Sequence, residues 1–139
     1  TARGTLLGMT LDTTPAHIAR AFLNAIGCQL HDILTAIAED ASITIDQLYV
    51  GGGVSASDVA CQAQADLLGI PVLRADNTET SVRAAALLAG LGAGTWPNTA
   101  ALPRLPGEPT VFEPRMTTTV REAILAQWQR AITRSLDWV

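Results

Sequence analysis

From Ile18 the apolar positions recur every third or fourth residue, through Phe22, Ile26, Leu30, Ile33 and Ile37. That spacing predicts one amphipathic helix of about 25 residues, about 37 Å long at 1.5 Å per residue. Thr13 or Thr14 can cap it, with Pro15 at the first helical position, where a missing amide hydrogen costs nothing. Before it, residues 4–10 are short and apolar between glycine and threonine, which fits either a strand or an ordered loop.

Beyond the long helix the period changes. Residues 43–50 read as a short strand ending in Leu48-Tyr49-Val50, with Gly51-Gly52-Gly53 immediately behind. Ser55 is placed to cap a second helix with Asp58 three residues on, and Ala56, Val59, Ala60, Ala63 and Leu67 mark its expected buried face. Gly69 closes that helix. Residues 70–74 form a second strand, whose Pro71 suggests a strand start or a sheet edge. A third helix is expected from about Thr80 to Leu91, and its Ala84, Ala85, Ala86, Ala89 and Gly90 predict close packing against another backbone. Five prolines between Pro97 and Pro114 mark a connecting loop. Thr119 and Glu122 in capping-box spacing then open a last helix with Val120, Ile124, Trp128, Ile132 and Ser135 on one face, which should dock so that Trp128 is covered.

Strand, helix, strand and helix in that order predict an α/β domain with parallel strands covered by helices. Two or three strands are few for so much helix, and parallel sheets are normally buried on both faces, so further strands are expected from chain outside these residues. The first residue is Thr1 rather than Met, which likewise predicts a piece of a longer polypeptide.

Composition narrows the class. At 139 residues, 48% hydrophobic and 16% charged, the chain can bury a core and is not expected to be disordered. No uninterrupted apolar run approaches the roughly 20 residues of a membrane span, and no charged-then-apolar leader opens the chain, so a cytoplasmic domain without a membrane partner is expected. The nine basic residues are all Arg and are scattered, at a net charge of −4, which argues against a nucleic-acid partner. Without lysine there is no P-loop either, because that motif needs a Gly-Lys to reach the phosphates. Cys28 and Cys61 fall in amphipathic stretches and read as buried thiols.

The turn Gly51-Gly52-Gly53-Val54-Ser55-Ala56-Ser57-Asp58, between a strand and a helix, is the main candidate for chemistry. Glycines there let another group approach the backbone, and a helix N-terminus favours polar or anionic ligands. A plain strand-to-helix turn with a serine cap is the other reading. His17 and His31 would lie about 21 Å apart along the helix and cannot share an ion. Glu39-Asp40 ends the same helix as a solvated pair, and Ser55 and Ser57 lack a nearby histidine or a nucleophile elbow.

Several segments, in order, resemble the glycerol kinases of the FGGY carbohydrate kinase family: Ala2-Arg3-Gly4-Thr5 with Gly8-Met9-Thr10; Ala16 to Ala21 with Gln29 and Asp32-Ile33-Leu34; Gln62 to Val72; Thr78-Glu79-Thr80 with Gly94 and Trp96; and Phe112 to Met116 with Trp128 and Trp138. The resemblance covers essentially the whole chain. It implies a ribonuclease H-like, actin-like ATPase fold, with residues 1–139 as the C-terminal, nucleotide-binding part of an enzyme transferring the ATP γ-phosphoryl group to a hydroxyl of glycerol. Another FGGY sugar kinase such as a xylulokinase, or a catalytically degenerate nucleotide-binding paralogue, is the alternative. ATP with Mg2+ would be the cofactors, and ATP or ADP and a polyol or sugar the partners of a full-length homo-oligomer. Carried over by position, Gly52 and Gly53 would lie under the nucleotide, and Ser57 stands where the family has asparagine. The family turn reads Asp-Gly-Gly-x-x-x-Asn, whereas this chain has Gly51 and Ser57 at its ends, and Arg83-Ala84 replaces Leu-Gly. The catalytic carboxylate lies upstream, so no catalytic residue or metal ligand is assigned here, and the isolated segment is expected to be inactive.

Overall fold

The computed structural model describes residues 3–77, 79–103 and 107–137. Ala2, Thr78 and Trp138, used in the resemblance above, lie outside the described residues. The long periodic stretch forms helix α1 (Pro15–Ala41), capped by Thr14, whose backbone N–H donates to His17 Nδ1 at 3.2 Å. Strand β1 (Leu48–Val50), helix α2 (Asp58–Leu68), strand β2 (Val72–Arg74) and helix α3 (Thr80–Gly92) follow in the expected order. Strand β3 (Thr110–Phe112) and helix α4 (Thr118–Ser135) complete the chain. Residues 4–10 form neither helix nor strand.

The sheet is ordered β1-β2-β3 and is mixed. β1 and β2 are parallel, with Val50 opposite Arg74, as the strand–helix–strand pattern requires. β3 pairs antiparallel to β2, with Phe112 opposite Val72, inside the stretch read as loop. That makes β2 the central strand, so Pro71 marks its start and not a sheet edge. The Pro71 carbonyl is used by the Leu48 N–H at 3.0 Å, while its missing N–H lies before the ladder begins.

Cys61, Ala65, Val72 and Phe112 form the core cluster, with Leu48, Val50 and Leu68 packed on it. It lies between α2 and one sheet face. On the other face Tyr49 and Val111 are exposed, at 63% and 49%. In α2 the buried residues are Ala60, Cys61, Ala63, Gln64, Ala65 and Leu67, so Ala56 and Val59 do not belong to the buried face.

The seam between α1 and α2 is made where α1 is smallest. Only Gly27 and Cys28 of α1 are buried, whereas Phe22, Ile33 and Ile37 are exposed. A Cβ on Gly27 would stand 2.7 Å from Leu67 Cδ1 and 3.4 Å from the Ala63 carbonyl oxygen, so the helices approach where the side chain is smallest. Helix α1 has an 18-residue window of mean hydropathy 1.3 and by length and composition could cross a membrane. In this structure it is one layer of the fold, packed on α2 and bonded to α4.

Helix α3 has no buried residue, and at Gly90 its neighbour is a side chain: a Cβ there would lie 2.0 Å from the Trp96 ring. Helix α4 is capped by Thr117, not Thr119, with the Val120 N–H reaching the Thr117 hydroxyl at 3.5 Å. It docks as expected, because Trp128 Nε1 donates to Asp32 Oδ2 at 2.7 Å. The segment before it is fixed by Asp66, whose Oδ1 accepts from the Arg115 and Met116 N–H groups at 2.7 and 3.2 Å. Gln62 Nε2 donates to the Glu113 carbonyl at 2.8 Å, so two segments about 50 residues apart are tied together.

Candidate functional site

The glycine turn stands at the carboxyl end of β1, beside the end of its parallel neighbour β2. In open parallel sheets ligands gather beyond these strand ends. Gly51 is constrained from inside, since a Cβ there would meet the Thr80 methyl at 2.6 Å and the Thr80 hydroxyl at 3.0 Å. An aspartate at this position would need Thr80 to move. Gly52 has φ +89°, a conformation that side chains disfavour, and nothing lies within 4 Å of a Cβ placed on Gly52 or Gly53. No neighbour requires Gly53 to be small.

Residues Gly53–Ala56 then form a 3-10 turn, which shifts the start of α2 two residues beyond the sequence expectation. Ser57, not Ser55, is the cap: its hydroxyl accepts from the Ala60 N–H at 3.3 Å. Ser55 is buried, and its Oγ donates to the Gly52 carbonyl at 2.7 Å, closing the turn on itself. Gly52 and Gly53 are thus brought together with Ser57 on one turn, with Gly53 and Ser57 exposed and Gly52 half-buried.

Sequence reasoning missed the support beneath. Arg74 NH1 donates to the Ser55 carbonyl at 3.2 Å, to the Ala56 carbonyl at 3.5 Å and to Asp58 Oδ1 at 2.6 Å. Its guanidinium lies 5.1 Å above the Phe112 ring. The Cys61 thiol donates to the same Ser55 carbonyl at 3.3 Å, and burial raises its pKa, an effect Arg74 opposes and Asp58 reinforces. An arginine closing a strand beside a glycine turn was the available signal, but the separation of 16 positions between Asp58 and Arg74 hid the pairing.

Among the described residues no group of three or more His, Cys, Asp or Glu side chains could hold a metal ion. His17 is occupied in the α1 cap, Glu39 and Asp40 are exposed, and both cysteines are free and buried. A groove of about 640 Å³ between residues 3–8, α1 and α4, lined by Phe22, Cys28 and Trp128, shares no residue with the glycine turn.

Residues 1–93 match the FGGY family of carbohydrate kinases, C-terminal domain. The chain belongs to this family. It is 49% identical over 137 residues to a glycerol kinase of Dechloromonas aromatica (strain RCB), covering 99% of this chain and 27% of that protein. Among solved structures it resembles a Plasmodium falciparum glycerol kinase with ADP, at a TM-score of 0.78 and 27% identity over 99% of this chain and 28% of that one. A xylulose kinase from Rhodospirillum rubrum follows at a TM-score of 0.70 and 26% identity, over 96% of this chain and 27% of that one. The FGGY chain described here therefore spans about a quarter of the length of the relatives it matches.

Proposed function

We propose that this chain is the C-terminal, adenosine-side portion of an ATP-dependent kinase that phosphorylates a hydroxyl of glycerol. The observation that carries the reading is the glycine turn: open above Gly52 and Gly53, at the carboxyl ends of parallel strands, and tied down from below by Ser55 and Arg74. Its relatives named as glycerol kinases supply the substrate, and the Plasmodium falciparum protein was solved with ADP.

In this reading the fold is the ribonuclease H-like, actin-like one, with residues 1–139 closing the second domain of a longer cytoplasmic enzyme that assembles as a homo-oligomer. Gly52 and Gly53 let the nucleotide approach the backbone, and Ser57 offers its hydroxyl hydrogen where the family pattern has an asparagine amide. A serine is shorter, so a water can complete that contact. The turn suits the nucleoside, with open backbone at Gly52 and Gly53 and a neutral, exposed hydroxyl at Ser57. ATP would supply the transferable phosphoryl group, and Mg2+ would neutralise the charge that develops on it. The work of this chain is to orient the adenosine so that the γ-phosphoryl group is in line with the acceptor hydroxyl, a positional contribution to a reaction that depends on alignment. The base that takes the hydroxyl proton belongs upstream, so the isolated segment is expected to bind without turnover.

Titration of ADP into isotope-labelled chain, followed through backbone amide shifts, tests the site. Shifts centred on residues 51–58 are expected, and a folded sample without them at millimolar ADP would remove the assignment. Assay of the complete enzyme on glycerol and on pentuloses tests the substrate, and a pentulose preference would overturn glycerol.

A further inference from the structure

We infer that Arg74 is the positioning residue of the nucleotide turn, holding the backbone of residues 53–58 in the shape that receives the adenosine. The inference rests on the proposed nucleotide reading of that turn. Arg74 is the last residue of β2 and stands in register with Val50, the residue before the three glycines. From there NH1 reaches Ser55 O, Ala56 O and Asp58 Oδ1, three acceptors on the two sides of Ser57. The Arg74 side chain is 18% exposed against 75% for Asp58, so the cation is the fixed member and the turn is hung on it.

The geometry explains a cation here. The carbonyl of buried Ser55 needs a donor, and the charged Arg74 NH1 supplies it at 3.2 Å while also reaching the exposed Ala56 carbonyl at 3.5 Å. Phe112 of β3 offers its ring face to the guanidinium, whose Cζ lies 5.1 Å from the ring centre. Arg74 itself need not touch the ligand. It acts through the carbonyls that determine where Gly53 and the Ser57 hydroxyl stand. Lysine would keep the charge and a donor but lose the flat group that lies on Phe112.

The test uses the complete kinase carrying this segment, with wild type, Arg74→Met and Arg74→Lys compared for ADP Kd by calorimetry and for the KM values of ATP and glycerol. Arg74→Met is expected to weaken ADP and raise the ATP KM by about tenfold or more, the scale of losing hydrogen bonds from a charged donor. The glycerol KM should stay within about twofold. Arg74→Lys should fall between wild type and Met, weakening ADP by about threefold. Equal rises in both KM values would reduce Arg74 to general structural support and overturn the inference. If Arg74→Met does not fold, Arg74→Lys decides, and nucleotide affinity equal to wild type would overturn it as well. A wild-type enzyme that neither binds ADP nor phosphorylates glycerol would instead remove the nucleotide reading itself.

Discussion

Trp128 Nε1 donates to Asp32 Oδ2 at 2.7 Å, joining α4 to α1 across 96 residues of sequence. Gln129 Nε2 fills the other Asp32 oxygen at 2.9 Å. Helix α4 has no buried residue, so apolar burial alone holds it weakly and this polar clip gives it register. Trp128→Phe keeps most of the ring and removes the donor. The expected loss is about 1–3 kcal/mol of unfolding free energy, as for a hydrogen bond to a charged acceptor. Amide exchange over residues 118–135 should accelerate before the rest of the chain opens, and unchanged exchange there would show that the clip does not hold the helix.

Gly27 sets the distance between α1 and α2. Alanine at a helix interior is intrinsically favoured over glycine by about 1 kcal/mol. Here its Cβ would come within 2.7 Å of Leu67 Cδ1 and 3.2 Å of Leu67 Cβ, and Leu67 is completely buried. The clash should win, with Gly27→Ala destabilising by about 1–2 kcal/mol net in chemical denaturation. Gly27→Ala/Leu67→Ala should lose less than the sum of the single changes, since removing Leu67 makes room. Strict additivity would rule out this contact as the cause.

These two sites show where the sequence was legible and where it was not. The four helices and the first two strands followed from local period, and α4 was correctly expected to dock through Trp128. Apolar spacing located α1 but does not mark its seam, because close helix approach selects Gly27 and Cys28 while Phe22, Ile33 and Ile37 are exposed. Strand β3 has only three residues, amid prolines, and exists through its pairing with the distant β2, which local pattern does not encode. The glycine turn was recognisable as a site candidate. Its cap was misplaced by two residues because a 3-10 turn intervenes, and its support by Arg74 is a long-range contact.

Burial, reinforced by the Asp32 charge, pushes the Cys28 thiol from its ordinary 9.0 up to about 11. Below pH 9 the thiol is protonated whether the chain is folded or not, so stability is independent of it. As pH rises from 9 to 11 the unfolded chain releases the proton and the folded chain keeps it, so stability falls, by at most about 1.4 kcal/mol per pH unit. The loss levels off above the folded value. Denaturant midpoints measured from pH 8 to pH 11 should decline more steeply for wild type than for Cys28→Ala, and parallel slopes would refute the assignment. Thiol-reactive labelling of Cys28 in the folded chain at pH 8 should also be slow, because the thiolate is the nucleophile.

The chemistry of Ser57 permits the observed helix cap and the proposed nucleotide contact together. Its oxygen accepts from the Ala60 N–H as the α2 cap, while its O–H hydrogen can still donate to a nucleotide. Ser57→Ala removes both and should cost about 1 kcal/mol of stability as well as ADP affinity. Asparagine caps a helix about as well as serine, so Ser57→Asn should leave stability within about 0.5 kcal/mol. The amide is longer and adds a donor, so this variant should bind ADP several-fold more tightly. Thermal melts read the cap, and calorimetric ADP titration of the same samples reads the ligand contact. If Ser57→Ala lowered the melting temperature yet bound ADP like wild type, and Ser57→Asn gave no gain, Ser57 would be a helix cap alone and the nucleotide contacts would reduce to Gly52 and Gly53.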